Sequence, residues 1–135
     1  MRRGAALNPD AGELHYSLGL LLAGSDRLIE ATLELEKAAA LLPEHGRPHY
    51  NLGLALQHLG QREQALGALE RAGEIEPQNS DFARALAIFY FQDARYEEAS
   101  REVGRWIEIA PTSAEAQSFL RRIQRARGAS GRPTP

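Results

Sequence analysis

The sequence predicts an all-α solenoid in which antiparallel helix pairs stack side by side. The first observation is a period of 34 residues along the 135-residue chain, shown by two series: Leu18, Leu52, Leu86 and Leu120, and Pro9, Pro43, Pro77 and Pro111. The second is that each period holds two segments whose apolar residues have helical spacing. Units of this length cannot bury their own apolar face and must stack on their neighbours.

The repeat at residues 46–79 shows how each helix pair is predicted. Its first helix is expected at about residues 47–59, because four apolar residues lie at i, i+3, i+4 and i+7: Leu52, Ala55, Leu56 and Leu59. Gly60 can adopt the left-handed conformation that ends a helix. A second helix over 62–75 ends before Pro77, which cannot continue the hydrogen-bond ladder.

The same pattern predicts the remaining helices, at about residues 10–23, 27–42, 81–92, 95–109 and 113–127. Asp10 is expected to cap the first helix, Asn79 or Ser80 the fifth, and Thr112 with Glu115 forms a capping box for the seventh. The predicted organisation is a lead-in or tail of a preceding repeat, three repeats, a capping helix and a disordered tail, at residues 1–11, 12–45, 46–79, 80–113, 114–127 and 128–135.

The central repeat resembles the tetratricopeptide repeat, through the pattern His49-x2-Leu52-Gly53-x2-Leu56, Ala65-x3-Leu69, Pro77. The other two copies are similar, with His15, Leu18, Gly19, Leu22, Ala31, Leu35 and Pro43, and with Ala83, Leu86, Ala87, Tyr90, Ala99, Val103 and Pro111. The resemblance implies a right-handed superhelical solenoid of about seven helices. It also implies a concave groove, lined by the first helices, that binds peptides or protein segments.

The first helices carry apolar residues that the core face does not explain. At 100° per residue, Tyr50 and Leu54 point away from the Leu52 side, and equivalent residues occur one repeat earlier and later. We therefore predict that a partner binds a concave groove formed by Glu13, Tyr16, Ser17, Leu20, Arg47, Tyr50, Asn51, Leu54, Gln57, His58, Asp81, Arg84, Ile88, Phe91 and Gln92. The open alternative is that Tyr16 and Tyr50 are framework residues packing across neighbouring repeats.

The expected occupant is a short helix or an extended segment of a partner protein, with apolar contacts and hydrogen bonds from the tyrosines and Asn51. In chaperone-binding members of the family, basic and asparagine residues of the groove clamp a C-terminal carboxylate. Only Asn51 fits that clamp here, so we do not expect it. The alternatives to partner binding are a homo-oligomerisation module and the recognition portion of a larger enzyme.

Catalytic, metal and cofactor sites are not expected. The chain has no cysteine, and no Ser/His/Asp set, phosphate loop or dinucleotide fingerprint is present. His45 and His49 are separated by Pro48, and no carboxylate cluster completes a metal site. The prediction is a non-catalytic protein without a cofactor.

The distribution of charged and apolar residues indicates whether nucleic acid or a membrane is an expected partner. All 18 acidic residues precede Arg121, whereas five of the 16 basic residues follow Leu120. Because the acidic body opposes polyanions and the basic end lacks interleaved aromatic residues, we expect no nucleic-acid binding. No apolar run approaches the roughly 20 residues of a transmembrane helix, and none follows the basic start as in a secretory signal. Membrane insertion is therefore not expected, and a cytoplasmic location is the default.

Two features concern the ends of the chain. Leu7 and Pro9 match Leu41 and Pro43, so the chain is expected to open inside the tail of an earlier repeat and to be a piece of a longer protein.

Trp106 stands where other repeats have alanine. Either it fills space left by a small residue of the terminal helix, or it contributes to self-association, and the expected state is a monomer or a weak homo-oligomer.

Overall fold

A computed structural model describes residues 9–130, which form seven α-helices and no strand. In chain order these are α1 Pro9–Gly24, α2 Leu28–Leu41, α3 Gly46–His58, α4 Arg62–Ile75, α5 Ser80–Gln92, α6 Tyr96–Ile109 and α7 Ala114–Ser130. The helices fall into two compact units that divide between Pro77 and Gln78. The first unit holds α1 to α4, and the second holds α5 to α7.

The first unit consists of two helix pairs. α1 packs on α2 and α3 on α4, and α2 also packs on α3, which joins the pairs. The second helices bury the same positions of the 34-residue period in both pairs, namely Ala31, Leu35 and Ala38 of α2 and Ala65, Leu69 and Ala72 of α4. The period thus specifies which face of each second helix enters the core.

A glycine at the same repeat position in both pairs allows the two helices to approach closely. A Cβ atom added to Gly19 would lie 2.7 Å from Leu35 Cγ, and one added to Gly53 would lie 2.8 Å from Leu69 Cγ. Real Cβ atoms essentially never lie this close to another carbon, so any other residue would require the leucine to shift. Glycine inside a helix costs about 1 kcal/mol relative to alanine, and close packing of the pair offsets this cost.

The second unit is a helix pair followed by the terminal helix. α5 packs on α6, and α7 packs on α6. Trp106 of α6 is only 4% exposed, its ring lies 6.4 Å from that of Phe119 of α7, and Ala116 of α7 is completely buried. The first interpretation of Trp106 therefore holds: its indole fills space against the terminal helix.

The first helix of each repeat ends in the same way. Asp26, Gly60 and Ala94 occupy equivalent positions and have positive φ angles of 64°, 78° and 58°. The next residue in each case donates a backbone hydrogen bond to a carbonyl five residues back, at 2.8 to 2.9 Å. This is the left-handed closure predicted at Gly60, and at the other two turns it is made without glycine.

Two of the predicted N-terminal capping residues are wrong. α1 begins at Pro9, so Asp10 lies in its first turn and does not cap it. At α7 the cap is Ser113, whose Oγ accepts a hydrogen bond from Ala116 N at 3.1 Å, and not Thr112. Asn79, in contrast, caps α5 as predicted, with its side chain accepting from two backbone amides.

The end of α7 also differs from the prediction. The helix continues to Ser130, so residues 128–130 are helical and not disordered. Each residue added to an existing helix gains one hydrogen bond, which offsets the poor propensity of Gly128. The rest of the predicted tail, residues 131–135, and most of the predicted lead-in, residues 1–8, lie outside the described residues.

Two histidines at equivalent positions of the repeat, His15 and His49, are half-buried in the first unit. His15 Nδ1 lies 2.7 Å from Glu34 Oε1, and this hydrogen bond lowers the pKa of the Glu34 carboxyl. His49 is half-buried on α3. Burial lowers the pKa of its imidazole, and the nearby positive charge of Arg71 lowers it further.

The conformation of Ala94 leads to a stability prediction. Replacing Ala94 by glycine should raise the free energy of unfolding by about 0.5–1 kcal/mol, because glycine adopts positive φ without steric cost. Gly60→Ala should lower it by a similar amount. Urea denaturation of the two variants and the parent checks both values. Destabilisation by Ala94→Gly would contradict this account of the turn.

The position of His49 predicts acid sensitivity. Its folded pKa lies below the unfolded value of about 6.5, so the unfolded chain takes up a proton first as the pH falls. The contribution of neutral His49 to stability is therefore complete above the unfolded pKa and is lost below it.

We expect His49→Phe to unfold at nearly the same urea concentration as the parent at neutral pH, and at a higher one near pH 5. The difference between the two proteins isolates His49 from every other titrating group. NMR titration of the imidazole gives the pKa directly, and a value at or above 6.5 would contradict the prediction.

Candidate functional site

The residues predicted to form the groove lie on three first helices. Those on α1 and α3 belong to the first unit, and those on α5 belong to the second. Each unit contains a cleft, and we call these the first-unit cleft and the second-unit cleft. Both are described by their own residues below.

The first-unit cleft lies between α1 and α3 and has a volume of about 360 Å³. Four predicted residues meet there, namely Leu20, Asn51, Leu54 and His58. The remaining lining is mostly apolar, and it is formed by Ala23, Gly24, Asp26, Leu28, Leu35 and Ala55. The cleft therefore offers aliphatic surface with an amide, an imidazole and a carboxylate among its side chains.

Tyr16 and Tyr50 are half-buried and do not line this cleft. Asn51 Nδ2 donates to Tyr16 Oη at 2.9 Å, which joins α1 to α3, and burial raises the pKa of the Tyr16 hydroxyl. Tyr16 thus packs across neighbouring repeats, as in the alternative interpretation of the two tyrosines. The Tyr50 ring lies beneath the Arg47 guanidinium, whose carbon is 5.3 Å from the ring centroid.

The second-unit cleft lies between α5 and α7 and has a volume of about 530 Å³. Four predicted residues of α5 line it, namely Arg84, Ile88, Phe91 and Gln92. Four residues of α7 line the opposite side, namely Glu115, Ser118, Phe119 and Arg122. The α7 residues were not predicted.

Aromatic rings and charged groups are arranged closely in the second-unit cleft. The rings of Phe91 and Phe119 meet edge to face at 5.2 Å. The Arg122 guanidinium carbon lies 5.2 Å from the centroid of each ring. Arg84 Nε donates to Glu115 Oε2 at 2.7 Å. This ion pair joins the start of α7 to α5.

The 34-residue period indicates why residues of α7 line the second-unit cleft, although they were not predicted. Counting back one period from α7, Ser118 corresponds to Arg84 and Arg122 to Ile88, and both of those were predicted. Because α7 was interpreted only as a cap with a polar outer face, its cleft-lining positions were not considered. In the structure α7 takes the part of a fourth first helix.

Besides Tyr16, Arg47 and Tyr50, four further predicted residues lie outside the lining of both clefts: Glu13, Ser17, Gln57 and Asp81. Gln57 is half-buried and the other three are exposed. The structure thus brings eight of the predicted residues together, four in each cleft.

The chemistry of the clefts suits noncovalent binding. Both present apolar surface beside a few hydrogen-bonding and charged side chains. Within residues 9–130, no group of three or more histidine, aspartate or glutamate side chains could hold a metal ion. No helix in that same range has the length and apolar content needed to cross a bilayer.

Comparison with known families and sequences gives one match. Residues 59–123 match the tetratricopeptide repeat family. A search of curated protein sequences finds no match.

Solved structures share the fold over most of the chain. The tetratricopeptide domain of Sgt2 from Aspergillus fumigatus is 21% identical, with a TM-score of 0.78, covering 92% of this chain and 84% of that one. The Yersinia enterocolitica secretion chaperone SycD, in complex with a peptide of the translocator YopD, is 20% identical, with a TM-score of 0.78 and coverages of 87% and 95%. The first tetratricopeptide domain of Spaghetti (RPAP3), bound to an HSP90 peptide, is 19% identical, with a TM-score of 0.79 and coverages of 88% and 97%.

These structures confirm the predicted all-α solenoid class. The family match independently covers α4 through most of α7. The repeat pattern in the sequence, the paired helices and both comparisons agree: residues 59–123 match the tetratricopeptide repeat family, and the described chain has the fold of tetratricopeptide repeat domains.

Proposed function

We propose that this chain is a non-catalytic protein–protein interaction module that binds a peptide or helical segment of a partner in the predicted groove, at the two clefts. The observation that carries the proposal is that one repeat position lines both clefts. Leu20 and Leu54 line the first-unit cleft, and Ile88 and Arg122, at the equivalent positions, line the second. A position that recurs in each repeat and lies outside the core is typical of the binding surface of a repeat protein.

The dimensions of the clefts suit side chains of a protein segment. Their volumes of about 360 and 530 Å³ fall within the range of about 300–1,000 Å³ for ligand pockets. Leu54 and Ile88 are half-buried, so each retains apolar surface that a partner can cover. Complete burial of one such side chain is worth about 1.5–3 kcal/mol, and each cleft can therefore hold an apolar anchor of a partner segment.

The structural comparisons support binding of this kind. SycD was solved with a translocator peptide, and Spaghetti with an HSP90 peptide. Both share the fold of this chain at about 20% identity. The proposal transfers from them only the class of partner, a polypeptide segment.

Site-specific crosslinking tests the proposal. A photoreactive residue at Leu54 or Ile88 should capture a partner from the native extract, because these side chains line the clefts. The same residue at Glu63 of α4 or Arg101 of α6 provides the matched control, since both side chains are exposed on second helices. The measurement is the yield of each crosslinked species by mass spectrometry.

We expect the cleft positions to give at least about ten times the yield of the control positions for the same species, since crosslinkers react only with groups in contact. Addition of excess unlabelled chain should suppress these products. Equal yields at cleft and control positions would contradict the proposal.

Self-association is a second candidate function, favoured by an exposed apolar face on α1. Leu14, Leu18 and Leu21 lie on one side of this helix and are 73%, 42% and 66% exposed. At the equivalent positions of α3, Pro48, Leu52 and Ala55 are buried. The helix face that is buried on α3 is therefore exposed to solvent on α1. We propose that a second copy of the chain covers it.

Molar mass across a dilution series tests this candidate. If the α1 face pairs two copies, light scattering should give a mass approaching the dimer at high concentration and the monomer on dilution. A Leu14→Gln, Leu21→Gln variant should remain monomeric throughout, because it removes the exposed apolar surface without altering the core. A constant monomer mass for the parent chain would exclude self-association through this face.

A further inference from the structure

The second-unit cleft combines an aromatic floor with a held positive charge. Phe119 is almost completely buried, while Phe91 and Ile88 are half-buried and retain accessible surface. The Arg122 guanidinium carbon lies 5.2 Å from the centroids of both phenylalanine rings, a cation–π contact with each. Contact with two rings restricts this long side chain, and the guanidinium retains N–H groups that can donate.

The charges of the cleft are not balanced internally. Arg84 and Glu115 form an ion pair at 2.7 Å, which neutralises both at one end. Arg122 has no such partner, because no carboxylate among residues 9–130 lies within 4.0 Å of it. Arg121 and Arg125 are also exposed on α7 and add to the positive potential.

We infer that the second-unit cleft recognises an acidic side chain next to an apolar or aromatic one in the partner segment. The apolar side chain would pack on Phe91 and Ile88, and the carboxylate would accept two hydrogen bonds from the edge of Arg122. An arginine held against two aromatic rings suits this task, since its fork matches the two oxygens of a carboxylate and little further entropy is lost on binding. The inference rests on the proposed function and adds the chemistry of the partner.

The first-unit cleft provides an internal contrast. No arginine or lysine lines it, and its charged group is the carboxylate of Asp26. The proposed preference for an acidic residue therefore belongs to the second-unit cleft alone. Within that cleft, Arg122 is the only cation without an acidic partner among the described lining residues.

Selection from a random library of 12-residue peptides tests the inference with the full chain. We expect the parent chain to enrich peptides in which aspartate or glutamate adjoins leucine, phenylalanine or tryptophan. Arg122→Gln should lose this acidic preference. Arg125→Gln is the matched control, being the same change on an exposed residue of the same helix outside the cleft, and it should keep the preference.

Affinities then measure the pairing directly. One selected peptide and its variant with the acidic residue changed to the corresponding amide are titrated against each protein by fluorescence anisotropy. Loss of the acid should weaken binding to the parent chain and to Arg125→Gln by about tenfold, as is typical for a hydrogen bond to a charged group. For Arg122→Gln the two peptides should bind with nearly equal affinity, and circular dichroism verifies that this variant is folded.

The outcomes separate the inference from the proposed function. Enriched peptides without an acidic preference, or an acidic preference that survives Arg122→Gln, would overturn the inference and leave peptide binding intact. Failure of the parent chain to enrich any peptide would contradict both.

Discussion

The close approach of a first helix to a second helix is the constraint on which each repeat depends. Gly19 and Gly53 permit it in the first unit, where the leucine of the second helix occupies the space that a side chain would need. Because this face of the first helix packs on the second helix, residues on its opposite side cannot enter the same core. Leu20 and Leu54 are those residues, and they line a cleft in place of entering the core.

The two clefts show how one framework acquires different chemistry. Equivalent positions carry Leu20 and Leu54 in the first-unit cleft but Ile88 and Arg122 in the second. The repeat period is the same, since these four lining residues are each 34 positions apart. The repeat fold therefore supplies the cleft, and the side chains at a few lining positions set its chemistry.

Periodicity predicted most of the fold because it reports burial. The same apolar faces recur every 34 residues, and all seven helices lie where those faces required, within a few residues at each end. The errors occur at helix ends, where a single local contact determines which residue caps the helix. Thr112 and Ser113 are both good caps, and only the hydrogen bond from Ala116 N selects Ser113.

The candidate site could be predicted only in part, for a related physical reason. A period identifies positions that face away from the core, and Leu54 and Ile88 are two such positions that line the clefts. It does not report which side chains bond to each other across helices, so the Asn51–Tyr16 hydrogen bond and the Arg84–Glu115 ion pair could not be foreseen. The α7 lining was predictable in principle, and it was missed because a terminal helix was expected to close the array and not to bind.

Phe119 belongs both to the closure of the chain end and to the cleft. One side of its ring faces Trp106 in the core of the second unit, and another faces Phe91 and Arg122. Docking of α7 and occupation of the cleft are therefore thermodynamically linked through one side chain. A segment that binds there holds the terminal helix in place, and by reciprocity any change that loosens the terminal helix lowers the affinity for the segment.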